Sequence, residues 1–413
     1  MTANTLFVGI DIHRKSNTCC LMDGQGNSLS QPFNVENNLP GSQTLIKQIA
    51  HQVIQGNFDS ILIAAEATGW YWWHLFYTLY HDPFLNQWPL ELYPLNPRLT
   101  ANFKKTYSDL DKTDLIDAFV IADRLRLGRD LPHPFYYDDL YLPLRFLTRH
   151  RFHLIHRLAQ EKAYCLSFIY LKFSEYTSIK PFANTFGAAS KAVLQEFASI
   201  EEIAAIPFDE LTRFINQKGK RRFSDPARNA HKLKLVAQHS YPLPQTLQQP
   251  INLILEMNLQ LISFLEQQEK MINQAIAEYM QAIPHTLDTI PGMGPVFSAG
   301  IIAEIGDLAR FDFDQAKVAA YAGFKWRRRQ SADFEAEETS LSRKGNRYLR
   351  YYFCEAANRV RMCAQEYAAY YWRKYQEVRK HQHKRAIVLT ARKLIRLVVR
   401  LLTTHQPYQP RRQ

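Results

Sequence analysis

The sequence predicts an α/β domain at the N-terminus, followed by structure that is mostly helical. Short apolar runs alternate with helical patterns over residues 1–135. Two long amphipathic helical patterns follow within residues 136–282, and residues 283–413 carry further helical segments rich in Arg and Lys. A chain of 413 residues is long enough for two or three domains with cores of their own, so we predict three parts with these boundaries.

The N-terminal elements follow a defined order. Strands are predicted where apolar runs are bounded by turn residues, at Thr5–Ile10, Thr18–Met22, Gln31–Val35, Ser60–Thr68 and Leu90–Leu95. Helices are predicted from periodic apolar positions, at Pro40–Gln55, Trp70–Tyr80 and Thr113–Leu127. Three strands followed by helix, strand, helix, strand and helix is the order of a ribonuclease-H-like α/β fold.

Four acidic residues stand at informative places in this order. Asp11 lies in the first, central strand and Glu66 near the end of the fourth, while Asp114 and Asp117 share one face at the start of the last helix. Carboxylates brought together repel one another unless a cation lies among them, and oxygen ligands suit Mg²⁺ or Mn²⁺. We therefore predict a divalent metal site. The alternative for Asp114 and Asp117 is that they complement a helix N-terminus after Thr113.

The middle of the chain is predicted to form a helical arm. Helical patterns at Leu142–Phe173 and Leu247–Ala282 flank an insert at about residues 175–244, which has the pattern of a small helical module. The two long helices predict an antiparallel coiled arm or a dimerisation element, with two core helices of an ordinary bundle as the alternative. The insert contains a basic stretch, in which Lys220, Arg221 and Arg222 are candidate phosphate contacts or simply part of a solvated surface.

The C-terminal part, residues 283–413, is predicted to be mainly α-helical. The turn Pro291-Gly292-Met293-Gly294 is typical of a helix–hairpin–helix element, in which Gly292 and Gly294 would expose backbone N–H groups to a phosphate; a plain helix–helix turn is the alternative. The segment Trp372–Arg400 has ten Lys and Arg against one Glu, and its pattern predicts a helix with an apolar face and a basic face.

Composition limits the classes of function. The net charge of +12 and a pI near 9.3 favour a polyanionic partner. The five cysteines lack the spacing of a zinc site, so free thiols in a reducing cytoplasm are expected. There is no signal pattern and no apolar stretch of membrane-spanning length, which predicts a cytoplasmic protein of the nucleoid.

Ser331 is a second candidate for chemistry. It follows Arg327, Arg328 and Arg329, whose charges would favour the approach of a phosphodiester. Local chemistry alone favours a loop serine without a role, since no neighbouring histidine offers itself as a base.

Several segments together resemble the DEDD-type insertion-sequence transposases. They are GIDIHRKSN, AAEATGWYWWHLFYTL, LDKTDLIDAFVIADRL, IPGMGPVFSAGIIAEIGDLARF, YAGFKWRRRQSADFEAE and LSRKGNRYLR, in this order. The resemblance implies a RuvC-like domain joined by a coiled segment to a serine-bearing transposase domain. It implies Asp11, Glu66, Asp114 and Asp117 as the four acids and Ser331 as the nucleophile, with Ser340 and Ser342 as other candidates because Ala332 replaces the usual glycine.

The resemblance also implies partners. Such enzymes act on donor and target DNA, are directed by a structured noncoding guide RNA, and assemble their site between subunits of a dimer or tetramer. Lys344, Arg347 and Arg350 are then expected to contact phosphates near Ser331, with a solvated helix start as the alternative.

Three functions follow from these observations. The leading hypothesis is a metal-dependent DNA recombinase with a serine nucleophile. The alternatives are a metal-only, structure-selective endonuclease of the Holliday-junction-resolvase type, and a nucleic-acid scaffold without activity.

Overall fold

The computed structural model describes residues 4–107, 113–129, 131–326, 341 and 345–410, together with the backbone of residues 330–331 and 334–335. The described chain forms two compact units, residues 1–139 and 140–413. The predicted order, an α/β region followed by a mostly helical part, is confirmed. The division into three parts at 135 and 282 stays a prediction. Among the described residues, no helix is both long and apolar enough to cross a membrane.

The first unit is built on a mixed five-stranded sheet. Its strands are β1 (Thr5–Ile12), β2 (Ser16–Met22), β3 (Phe33–Glu36), β4 (Ser60–Glu66) and β5 (Leu90–Leu95). The spatial order is β3-β2-β1-β4-β5, in which β1, β2 and β3 pair antiparallel and β1, β4 and β5 pair parallel. The prediction that β1 is central is therefore correct, and the arrangement is consistent with a ribonuclease-H-like domain.

Helices cover this sheet. They are α1 (Leu39–Gln55), α2 (Trp73–Tyr80), α3 (Pro97–Lys104) and α4 (Asp114–Leu127). The apolar side chains of β1, such as Leu6, Val8 and Ile10, are fully buried in a core with α1 and α2. Helix α3 was not predicted, because Asn96-Pro97 also reads as the end of a strand. Here Asn96 caps the helix, because its side-chain oxygen accepts a hydrogen bond from the Arg98 N–H. Pro97 occupies the first turn, where a backbone N–H would have no partner in the helix, so the missing N–H of proline costs nothing.

The second unit is mostly helical. Its helices are α5 (Tyr141–Lys172), α6 (Tyr176–Ile179), α7 (Ala188–Glu196), α8 (Ile200–Ala205), α9 (Phe208–Lys218), α10 (Pro226–His239), α11 (Gln245–Met280), α12 (Pro295–Ile305), α13 (Gln315–Tyr321), α14 (Arg347–Cys363), α15 (Gln365–Gln376) and α16 (Gln382–Thr404). Two short strands, β6 (Gln330–Ser331) and β7 (Phe334–Glu335), pair antiparallel. One apolar core joins α12 to α14 and α16, and another joins α5 and α11 to the inserted helices α7–α10.

The two long helices lie side by side and antiparallel. Arg151 on α5 bonds Asn273 and Glu269 on α11, whereas Lys162, further along α5, pairs with the earlier residue Glu266. Whether they extend as a coiled arm stays a prediction. The insert is helical as expected.

The C-terminal part has a break between two helices that was not predicted. The predicted single helix over Trp372–Arg400 is wrong, because α15 ends at Gln376 and α16 begins at Gln382, with His381 in the left-handed region at φ 53°. The helix–hairpin–helix element stays a prediction, since only a single 3₁₀ turn, Leu287–Thr289, directly precedes the Pro291–Gly294 turn.

Candidate active site

Asp11 and Glu66 come together because they follow neighbouring parallel strands. Ile10 pairs with Ala65 at the end of the ladder between β1 and β4, so the next residues on the two strands are Asp11 and Glu66. Both lie at the carboxyl ends of the parallel strands, the edge at which open α/β sheets place their sites. Asp11 is only 14% exposed at its side chain.

Helix α4 brings the other two acids to this edge. Thr113 caps the helix, with its Oγ1 accepting a hydrogen bond from the Ile116 N–H at 3.3 Å, so that Asp114 and Asp117 lie in the first turn. The helix approaches β1 very closely at Gly9, where an added Cβ would lie 2.2 Å from the Ala118 carbonyl oxygen. Only glycine allows this distance, and the close packing draws the first turn of α4 towards Asp11.

The carboxylates influence one another. Burial raises the pKa of Asp11, and Asp117 and Asp114 raise it further, against a lowering effect of His13. Burial likewise raises the pKa of Glu66, followed by the charge of Asp11, with a smaller contribution from Asp117. The charge of Asp11 is therefore coupled to the charges of Glu66, Asp114 and Asp117.

Two basic residues that were not predicted as site residues lie among the acids. His13 Nε2 is 3.2 Å from Asp11 Oδ2 and 3.6 Å from Asp114 Oδ1, and ligand atoms of these three residues all lie within 4.8 Å of one another. Lys104, at the end of α3, places its Nζ 2.5 Å from Asp117 Oδ1. His13 could have been found from its spacing, because residues two apart on a strand share a face. Lys104 could not, because α3 was not predicted.

The chemistry of this donor set fits a divalent cation. Asp11 and Asp114 can supply carboxylate oxygens to one ion, and the pKa of Asp11 and of Glu66 is raised above all by burial, with further contributions from neighbouring acids. Oxygen-rich sites of this kind suit Mg²⁺ and Mn²⁺, and His13 offers a nitrogen that Mn²⁺ also accepts.

Ser331 lies in the second unit, on a β-hairpin. The backbone of Ser331 pairs with that of Phe334 between β6 and β7. Trp326 and Leu341 form a separate antiparallel β-bridge. The side chain of Ser331 lies outside the described residues, as do Ser340, Ser342, Lys344 and the arginines Arg327, Arg328 and Arg329.

The chain leaving this hairpin is anchored to a buried carboxylate. Asn346 donates from Nδ2 to Glu304 Oε2 at 2.6 Å, while its backbone N–H bonds the Tyr321 carbonyl at 2.7 Å. Glu304, whose side chain is 0% exposed, also accepts two hydrogen bonds from Arg149, at 2.6 and 2.8 Å. Asn346 in turn caps α14 by accepting from the Tyr348 and Leu349 N–H groups. Helices α5, α12 and α14 thus meet where the hairpin segment ends.

The remaining predicted phosphate contacts differ in accessibility. Lys220, Arg221 and Arg222 are exposed in the turn between α9 and α10, and Arg347 is exposed at the start of α14. Arg350 is engaged instead, since its Nε donates to the Ala322 carbonyl at 3.0 Å.

The two glycines of the predicted hairpin also differ. An added Cβ at Gly292 (φ 87°) would lie 3.0 Å from the Arg359 carbonyl, so this glycine has a packing role on α14. Gly294 is the N-cap of α12 and has open space at its Cβ position.

Comparison with known proteins identifies the family. Residues 8–173 match the DEDD transposase model of the IS110 type, and residues 284–372 match the model described as transposase of the IS116/IS110/IS902 family. The chain belongs to the IS110 family of DEDD transposases. The first match contains all four acids of the site, and the second contains the hairpin with Ser331.

A curated relative agrees with this assignment. The IS110-family chain is 26% identical over 319 residues to the insertion element IS116 uncharacterized 44.8 kDa protein of Streptomyces clavuligerus, covering 76% of this chain and 77% of the relative. As a transposase, the chain is an enzyme that cleaves and joins DNA by metal-dependent phosphoryl transfer.

Proposed function

We propose that Asp11, Glu66, Asp114 and Asp117 hold a divalent cation, Mg²⁺ or Mn²⁺, and that Ser331 is the nucleophile of DNA strand exchange. The observation that carries the metal site is the cluster of Asp11, His13 and Asp114, whose ligand atoms lie within 4.8 Å of one another. Glu66 and Asp117 are included because the charge of Asp117 raises the pKa of both Asp11 and Glu66, and the charge of Asp11 raises that of Glu66. A bound cation would polarise the scissile phosphate and stabilise charge on the leaving oxygen.

The role of Ser331 is supported by its position. Its backbone pairs with Phe334, Trp326 bridges Leu341, and Ser331 lies within the second transposase match. In the proposed step the Ser331 Oγ–P bond forms as a P–O bond of the DNA backbone breaks, and the proton lost by the serine hydroxyl ends on the leaving oxygen. A hydroxyl of another DNA end then attacks the phosphoserine, which releases Ser331 and restores a phosphodiester. No external energy source is needed, since one phosphodiester replaces another.

Partners form the second part of the proposal. The DNA of an insertion sequence and its target would be read by base pairing with a structured guide RNA, which the chain would hold through its basic surfaces. The net charge of +12 supports contact with several polyanions at once. We propose that the active assembly is a dimer or tetramer. We also propose that each chain has three parts, residues 1–135, 136–282 and 283–413.

A cleavage assay tests the catalytic roles. Asp11→Ala and Ser331→Ala should each abolish cutting and joining in the presence of Mg²⁺, while Glu36→Gln, an exposed acid at the end of β3, should retain both. A protein–DNA species that survives denaturation supports the serine mechanism. Cleavage that persists in Ser331→Ala, with no such species and free phosphate at the product ends, would instead support the metal-only resolvase.

The RNA partner has its own test. RNA that remains bound through purification should be sequenced, and it should contain segments complementary to the ends of the element and to its target. Purified protein that recombines DNA at full rate after complete ribonuclease treatment would contradict RNA guidance.

A further inference from the structure

A basic groove runs along α15 and α16 in the second unit. It consists of two adjoining cavities of about 770 and 420 Å³, which share lining residues from both helices and from the chain after α16. Among the described lining residues there are five cations and one acid, Glu366. The cations are Arg373, Arg392, Lys393, Arg396 and Arg400.

Aromatic rings lie between these cations. Lys393 Nζ is 4.5 Å from the ring centre of Tyr367 and 5.1 Å from that of Tyr370, and the Arg373 guanidinium is 5.3 Å from the Tyr370 ring. Tyr408 closes one side, because its N–H donates to Thr289 Oγ1 at 2.8 Å and holds the chain after α16 along the groove.

Positive charge exceeds negative charge among the described residues that line the groove. Arg396 and Arg400, one helical turn apart and both exposed, form no ion pair with a described residue. Burial first, and then the charge of Arg396, lower the pKa of Arg392, against a raising effect of Asp314. An arginine does not lose its proton to relieve this repulsion, so an anion is the natural complement.

We propose that this groove holds one strand of nucleic acid, with its phosphates on Arg392, Arg396 and Arg400 and its sugars and bases against Tyr370 and Tyr408. Cations that follow a backbone, combined with aromatic side chains in one concave surface, are the usual means of binding single strands. A duplex keeps its bases stacked inside and would leave the tyrosines without a role. The inference deepens the proposed function, but it depends neither on the four acids nor on Ser331.

The test is a binding titration of the full chain without divalent metal, so that cleavage plays no part. Labelled single-stranded DNA, single-stranded RNA and a duplex of the same sequence are titrated at several salt concentrations. Arg396→Gln/Arg400→Gln should bind single strands about tenfold more weakly at about 0.15 M salt. Its slope of log affinity against log salt should fall by up to about 1.4, or about 0.7 for each lost phosphate contact. The matched control is Lys47→Gln/Lys270→Gln, which removes two exposed charges elsewhere and should change neither quantity.

Photo-crosslinking of a thio-substituted strand to the wild-type protein gives a second readout. It does not require that a variant folds. Crosslinks should map to the peptides that contain Tyr370 or Tyr408. Crosslinks confined to other peptides would overturn the proposal, as would an unchanged salt slope in the arginine variant. A loss of duplex binding alone, or competition by poly-glutamate as effective as by DNA of equal charge, would equally overturn it. Whether DNA or RNA is bound more tightly identifies the source of the strand.

Discussion

Replacement of Glu304 by Gln tests how the hairpin that carries Ser331 is anchored. The Glu304 carboxylate is fully buried and accepts hydrogen bonds from Arg149, at 2.6 and 2.8 Å, and from Asn346, at 2.6 Å. Gln keeps the size of the side chain, but it removes the charge and turns an NH₂ group towards donors that need an acceptor.

The magnitude follows from burial. Breaking a buried ion pair costs about 3–5 kcal/mol. Because the Arg149 side chain is 31% exposed, its remaining charge can still reach water, and we take the lower end, about 3 kcal/mol. In a domain of this size about 1 kcal/mol shifts the melting temperature by roughly 2–4 °C, so the expected loss is roughly 6–12 °C.

The assay is thermal unfolding of the full chain, followed by a double-mutant cycle. Arg149→Met should destabilise by a similar amount, because it leaves the Glu304 charge buried without its partner. The double variant should be more stable than the sum of the two changes predicts. Glu256→Gln, an exposed acid on α11, serves as the control and should change stability by under about 0.5 kcal/mol. A Glu304→Gln protein that melts within about 2 °C of the wild type, or strictly additive changes, would refute the role assigned to this pair.

Three further predictions concern the rest of the molecule. Gly9→Ala should destabilise the first unit by about 1–3 kcal/mol and impair metal-dependent cleavage, because its Cβ would lie 2.2 Å from the Ala118 carbonyl oxygen of α4. Melting curves and cleavage rates check this prediction. Gly24→Ala, with open space around it, should behave as wild type. Burial lowers the pKa of Lys172 from 10.5 to about 8, so stability should be lost as the pH falls through about 8 and regained towards 10.5. Lys172→Met should remove that dependence and raise the free energy of unfolding at pH 7 by about 2 kcal/mol, whereas Lys270→Met should do neither. Finally, burial and neighbouring acids raise the pKa of Glu66 and Asp11 in the folded protein, so their contribution to stability is present below about pH 4 and lost as the pH rises through the raised values. Glu66→Gln should therefore raise the melting temperature of the metal-free protein at pH 7 and remove the increase in melting temperature on adding Mg²⁺. Asp117→Asn should also remove that increase, but it should not stabilise the metal-free protein, because it breaks the ion pair with Lys104.

Much of the first unit could be predicted because its signals are local. The apolar runs of β1 and β4 identify buried strands. Asp11 and Glu66 lie at the ends of these runs, so they could be placed at strand ends without knowledge of the sheet. The close approach of α4 could not be predicted in this way. Gly9 reads as one small residue in a strand, and its role depends on a helix more than a hundred residues later in the chain.

The errors have similar physical causes. Asn96-Pro97 can end a strand and also start a helix, and only the packing of α3 beside Asp117 decides between them. No glycine or proline marks the break between α15 and α16, so the sequence predicts one helix where the chain turns at His381. The basic groove was missed for the same reason, because the two helices must fold back on each other before Arg373 and Arg396 can line one surface.

Direct measurement of metal binding tests the central claim most closely. Mn²⁺ added to the full chain should be bound, as followed by calorimetry or by the loss of the free-ion resonance signal. Asp11→Asn and Glu66→Gln should each weaken that binding strongly, whereas Glu36→Gln should leave it unchanged. If the wild type binds no Mn²⁺, or if Asp11→Asn binds it with the wild-type affinity, the four acids do not form the metal site.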